Sequence, residues 1–211
     1  EVLHLLHFEK GFFYSAKELM TRPGDSIREF ITDNRIKHMK PVAYLILTSL
    51  LFTIIAHYFH ADKLYNEKEN LSFGKSHVAS LIQWVQTHYG YANIMMGAFI
   101  TVCVKTLFRK YPYNFFEITV LLCFVMGQGM LLLTVETLFI PIIGAKLYTI
   151  LLTTISIAYP TWAIGQFYDR GKAISYIKAF VAYIAGYLLF YTAIGITGVL
   201  ADILLKSTGT H

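Results

Sequence analysis

The chain has 211 residues, 55% of them apolar and only 15% charged, with 18 Lys and Arg against 13 Asp and Glu and a mean hydropathy of +0.51. A soluble domain carries about 25% charged residues, so these figures exclude an ordinary water-soluble domain, a disordered chain and a collagen-like repeat. The net charge of +5 sits beside apolar stretches, which makes it a matter of orientation in an anionic membrane rather than of nucleic acid. The two cysteines, Cys103 and Cys123, lie inside apolar segments and read as small core residues, with no disulfide framework.

Residues 1–40 are amphipathic. Leu3, Leu5, Leu6, Phe8, Phe12 and Phe13 alternate with His4, His7, Glu9 and Lys10. A second short helix is expected after Pro23-Gly24, with Asp25 or Ser26 as its cap and Ile27, Phe30 and Ile31 on one face. Two readings of this segment stand side by side: helices lying at the cytoplasmic interface, or a small helical cap packed on the rest of the protein. No apolar h-region or small-residue cleavage site marks a signal peptide. The chain begins at Glu1 rather than Met, so a preceding segment is expected.

Crossing about 30 Å of hydrocarbon takes about 20 apolar residues in a helix. Five stretches qualify: about 41–59, 91–108, 115–135, 142–168 and 176–205. Pro41 opens the first at the favoured first helical position, and Pro160 is expected to kink the fourth. Unbroken apolar runs, rather than short alternating ones, exclude a membrane β-barrel. Helices remain, because in lipid every backbone amide must be paired within its own element. Between the first two spans, SHVASLIQWVQTHYG carries Val78, Leu81, Ile82 and Val85 at helical spacing. It is too short and polar to cross, and with Trp84 and Tyr89 it reads as an interfacial helix over about 77–89.

Lys and Arg set the orientation. On one side are Lys10, Lys17, Arg22, Arg28, Arg35, Lys37 and Lys40, then Lys105, Arg109 and Lys110, then Arg170, Lys172 and Lys178. On the other are Lys63, Lys68, Lys75, Lys146 and Lys206. The first group alternates correctly across five spans, so the N-terminus is expected in the cytoplasm and the C-terminus outside. The expected architecture is an all-α integral membrane protein: a five-helix bundle over 41–211 with N-terminal amphipathic interfacial helices over 1–40, in the bacterial inner membrane.

Few groups are candidates for chemistry. Arg22, Arg28, Arg35, Lys37 and Lys40 present cations near the membrane surface, to bind anionic lipid headgroups or a partner, or simply to fix topology. His57 and His60, three apart at the end of the first span, would share a helix face; with Asp62, His77 and His88 nearby they form a loose zinc or copper set, or plain interfacial residues. His4 and His7 repeat that spacing at the other end. Lys105 and Glu117 flank a short loop and are expected to pair. Glu136 and Lys146 flank the next connection, and Asp202 ends the last span. Gln128, between Gly127 and Gly129, needs a hydrogen-bond partner from another span; Asn93, Thr153, Thr154, Ser156 and Gln166 are candidates. Ala182 and Gly186 form a small-xxx-small packing surface for this bundle or another subunit. No charged residue sits mid-span, and the motifs of zincins, α/β-hydrolases and P-loops are missing. Neither an enzyme nor a cofactor is expected.

Lys10-Gly11-Phe12, Leu19, Arg22-Pro23-Gly24, Ile27-Arg28-Glu29-Phe30, Arg35 and Pro41 lie between Leu6 and Leu50, ahead of and within an aromatic-rich first span. This stretch resembles a bacterial family of uncharacterised multi-spanning membrane proteins in which a cytoplasmic zinc ribbon precedes the membrane domain. The family has Gly-Lys-Arg where this chain has Asp33-Asn34-Arg35, and the ribbon cysteines are not in this sequence. The resemblance implies either a ribbon before Glu1 or a member without one, and no activity. The five-span layout is also similar to that of Yip1-type proteins, which act in membrane traffic or organisation. The leading expectation is an accessory, scaffold or membrane-organising subunit working with the bilayer, other membrane subunits or itself. A small transporter or lipid-handling protein, with a hydrated cavity around Gln128 and Thr154, is the alternative. An external metal-binding protein is the third.

Overall fold

The computed structural model describes residues 2–32, 37–61 and 77–207. Among them are eight α-helices: α1 (Val2–Thr21), α2 (Pro23–Thr32), α3 (Pro41–Tyr58), α4 (His77–Thr87), α5 (Tyr89–Leu107), α6 (Phe115–Thr137), α7 (Ile140–Asp169) and α8 (Ala173–Ser207). Arg35, the Asp33-Asn34-Arg35 triplet, Asp62 and the polar stretch after it lie outside the described residues, as do the side chains of His4 and His7.

Helices α3, α5, α6, α7 and α8 are each long and apolar enough to cross a membrane. Helix α6 is the most apolar and the most buried of the five. It is the hub: α3, α5 and α7 pack around it, and α8 closes the bundle against α5 and α7. The outward faces carry apolar side chains, among them Ile46, Leu50 and Ile54 on α3 and Val181, Leu188 and Leu189 on α8.

Three of the close approaches that need a glycine place α3 on α6, α8 on α5 and the N-terminal segment on α7. A Cβ on Gly127 of α6 would meet the Tyr44 ring of α3 at 2.8 Å and the Leu45 Cα at 3.2 Å. One on Gly186 of α8 would come within 2.5 Å of the Ile100 Cα of α5, and Ala182, one turn earlier, is fully buried. The Ala182–Gly186 surface therefore serves this bundle. The third is Gly24, described below.

Three local expectations are corrected. Helix α2 begins at Pro23, not at Asp25 or Ser26: the Ser26 amide donates to the Arg22 carbonyl, so Pro23 takes the first helical position, where its missing N–H costs nothing. The second long helix starts at Tyr89, directly against α4, with the His88 amide bonded to the Trp84 carbonyl. In α7 the helical dihedrals break at Gly144 (φ 75°, ψ 160°), where residue order marks no break. That backbone region is essentially open to glycine alone, whereas Pro160 keeps helical dihedrals.

Candidate functional site

The amphipathic segment is a cap docked on one end of the bundle. Its mooring is a reciprocal capping between the start of α2 and the end of α7. A helix leaves its first amides and last carbonyls without internal partners. The Gly24 amide, at the second position of α2, donates to Gln166 Oε1 at 2.8 Å. In return, Arg28 Nη1 donates to the carbonyls of Phe167 (2.6 Å) and Gln166 (3.2 Å) in the last turns of α7, where a cation is favoured. Asp25 holds the Arg28 guanidinium from the other side. Gly24 has to be glycine here: a Cβ would lie 2.5 Å from the Gln166 carbonyl carbon.

Further contacts tie α1 down. The Tyr159 hydroxyl of α7 donates to the Leu19 carbonyl at 3.0 Å. Buried His38 lies within bonding distance of Ser15 Oγ (3.2 Å) and Ser26 Oγ (3.5 Å), and Ser15 Oγ also accepts from the Met39 amide. Burial pushes the His38 imidazole below the usual histidine range.

Of the expected cationic face, then, Arg28 is engaged on α7 and Arg22 is ion-paired to Glu18 and Glu29. Lys37 and Lys40 are exposed at the same end of the bundle, as are Arg109, Lys110, Arg170 and Lys172. Lys105 and Glu117 do not pair. Lys105 donates to the Tyr113 carbonyl, and Glu117 accepts the Asn114 amide while Asn114 Oδ1 accepts the Glu117 amide. This capping box consumes the carboxylate that was to meet Lys105.

Gln128 is buried, and its Oε1 accepts the Tyr44 hydroxyl of α3, a partner absent from the expected set. Tyrosine reads as an interfacial or core aromatic in a sequence, and nothing in residue order marks the hydroxyl of Tyr44, in the first turn of α3, as the donor to a buried amide. Thr153 and Thr154 are exposed, with their hydroxyls bonded to their own helix's carbonyls.

A cavity of about 280 Å³ does exist, but one residue further along α6. Gly129 lines it, and a Cβ there would meet nothing within 4 Å. Met126, Met130 and Leu133 continue the α6 wall; Leu152, Ser156 and Pro160 of α7 form another. Tyr183, Tyr187, Phe190 and Tyr191 come from α8, while Val85 and Gln86 of α4 and Tyr89, just beyond it, close the end away from the cap. Asn93 of α5 also lines it: the residue is 3% exposed, and its Nδ2 has no hydrogen-bond partner among the described residues. Among the described residues no Asp, Glu, Lys, Arg or His lines the cavity. Cap and cavity share two helices, since Gln128 and Tyr159 face the first where Gly129 and Pro160 face the second.

At the far end, helix α3 stops at Tyr58 and His60 takes a left-handed conformation (φ 54°), so His57 and His60 do not share a helix face. Among the described residues no three His, Cys, Asp or Glu side chains gather as metal ligands. His77 instead bonds the Asp202 carboxylate, joining α4 to α8, and His88 stacks on Trp84 at 4.9 Å. Glu136 is 7% exposed and forms no ion pair among the described residues; Lys146 is exposed.

Residues 9–53, which run from α1 through the cap into α3, match a family described as a protein of unknown function (DUF3667). No curated protein and no solved structure matches the chain.

Proposed function

We propose that this chain is a non-catalytic, multi-pass protein of the bacterial inner membrane that holds a small lipid-soluble molecule inside its helix bundle. The cavity carries this reading: a space lined mainly by apolar and aromatic side chains with a few polar groups, Asn93 among them, is the usual form of a small-molecule site. Apolar outward faces on five long helices support membrane residence. The excess of Lys and Arg at the cap end supports a cytoplasmic cap, where Lys37 and Lys40 face anionic headgroups.

Native mass spectrometry after gentle extraction tests the reading. Gly129→Leu fills the cavity without striking a neighbour at Cβ. The wild type is expected to carry a small molecule that the variant lacks, and identical bound species in both would refute the proposal.

The reading of an accessory or membrane-organising subunit draws on the far half of α7. There Ile142, Leu147, Ile150 and Leu151 are exposed and only Tyr148 is buried between residues 141 and 158. A stoichiometric protein partner in the same spectra would favour it.

A further inference from the structure

We infer that the cavity selects a neutral, ring-shaped molecule carrying a hydrogen-bond acceptor, most simply a carbonyl, directed at Asn93. This rests on the cavity being a binding site and adds what it binds. Three observations set the ligand class.

The first is charge. Among the described residues nothing ionisable other than tyrosine lines the cavity, so an ion entering it would lose its hydration without gaining a counter-charge from them. The ligand is therefore neutral.

The second is size and shape. An apolar cavity of about 150 Å³ takes up benzene; one of about 280 Å³ holds roughly twice as many heavy atoms, the size of a fused bicyclic ring. The walls suit flat rings. Phe52 and Tyr89 meet edge to face at 5.0 Å, and Tyr183, Tyr187 and Tyr191 line the α8 side.

The third is the hydrogen bond. Asn93 Nδ2 is a donor, it is buried, and it has no partner among the described residues. A buried amide N–H left unmade is costly, and an acceptor supplied by the ligand removes that cost. A donor-only head, such as an ammonium, does not.

1-Tetralone and tetralin are a matched pair of about the required size that differ by one carbonyl. Their binding to the full chain in nanodiscs is measured by calorimetric titration, with empty nanodiscs correcting for partition into lipid. The wild type is expected to bind the ketone about tenfold more tightly than the hydrocarbon, the effect of one buried hydrogen bond. Asn93→Leu is expected to abolish that preference while tetralin still binds. Equal affinities in the wild type, or a preference that persists in Asn93→Leu, would overturn the assignment to Asn93 and leave the cavity as an unselective site. If neither compound binds the wild type more tightly than Gly129→Leu, the cavity reading itself falls, and this inference with it. Should Asn93→Leu not fold, the comparison of the two compounds on the wild type still decides.

Discussion

Gly24→Ala is the most direct test of the cap. The added Cβ would stand 2.5 Å from the Gln166 carbonyl carbon and 2.6 Å from both the Gln166 oxygen and the Phe167 nitrogen. These are backbone atoms inside α7, so no side-chain rotation relieves the clash. Reaching 3.4 Å, the near edge of ordinary contact, requires α2 to retreat by about 0.9 Å (3.4 less 2.5). The same retreat takes the Gly24–Gln166 bond from 2.8 to about 3.7 Å and the Arg28–Phe167 bond from 2.6 to about 3.5 Å. Losing one neutral buried bond and one cationic bond costs about 2–4 kcal/mol. The better helix propensity of alanine returns about 1 kcal/mol. The net loss of about 1–3 kcal/mol corresponds to roughly 5- to 150-fold more frequent opening of the cap. Hydrogen exchange over residues 11–32 in proteoliposomes reads this opening directly. Gly195→Ala is the matched control: nothing lies within 4 Å of its new Cβ, so it is expected to leave exchange in the cap unchanged. Equal behaviour of the two variants would show that the Gly24 contact does not hold the cap.

Three further outcomes follow from the same geometry. Gln128→Leu strands the buried Tyr44 hydroxyl and is expected to cost about 1–3 kcal/mol, part of which Tyr44→Phe restores in the double variant; thermal unfolding in detergent measures the coupling. His38 is held below its ordinary pKa chiefly by burial, with Glu18 and Glu29 opposing and Arg22 and Lys37 assisting. Its contribution is therefore complete above about pH 6.5, the unfolded value, and is lost as the pH falls below it, because the open cap binds the proton more readily. Protection in the cap, after correction for the intrinsic pH dependence of amide exchange, is expected to fall as the pH drops from 7.5 to 5, and His38→Asn to flatten that dependence. Glu136→Gln is expected to raise the unfolding temperature at pH 8, since it replaces a buried carboxyl that no described cation faces by a neutral amide; a lower temperature would show that the Leu152 backbone bond to the carboxylate outweighs the cost of burying it.

The five long helices were legible from residue order alone. An apolar run of the right length has one solution in lipid, and the observed ends fall within three residues of the expected ones. The docked cap was legible only as amphipathicity. Whether Ile27 and Phe30 face lipid or protein depends on what lies opposite: α2 packs on α7, some 140 residues away in the chain, and Phe30 meets Phe124 of α6. Arg28 shows the limit most plainly. As a sequence element it is one more cation at a membrane surface; in the fold it completes the end of a helix, because the carbonyls of Gln166 and Phe167 lie beside it. The same holds for Gly129 and Asn93, which read as a packing glycine and a spare polar residue. Helical periodicity places each on a face, but the gap they share is a property of five helices together. A sequence specifies which side chains a helix carries, and only packing decides where neighbouring helices leave a space unfilled.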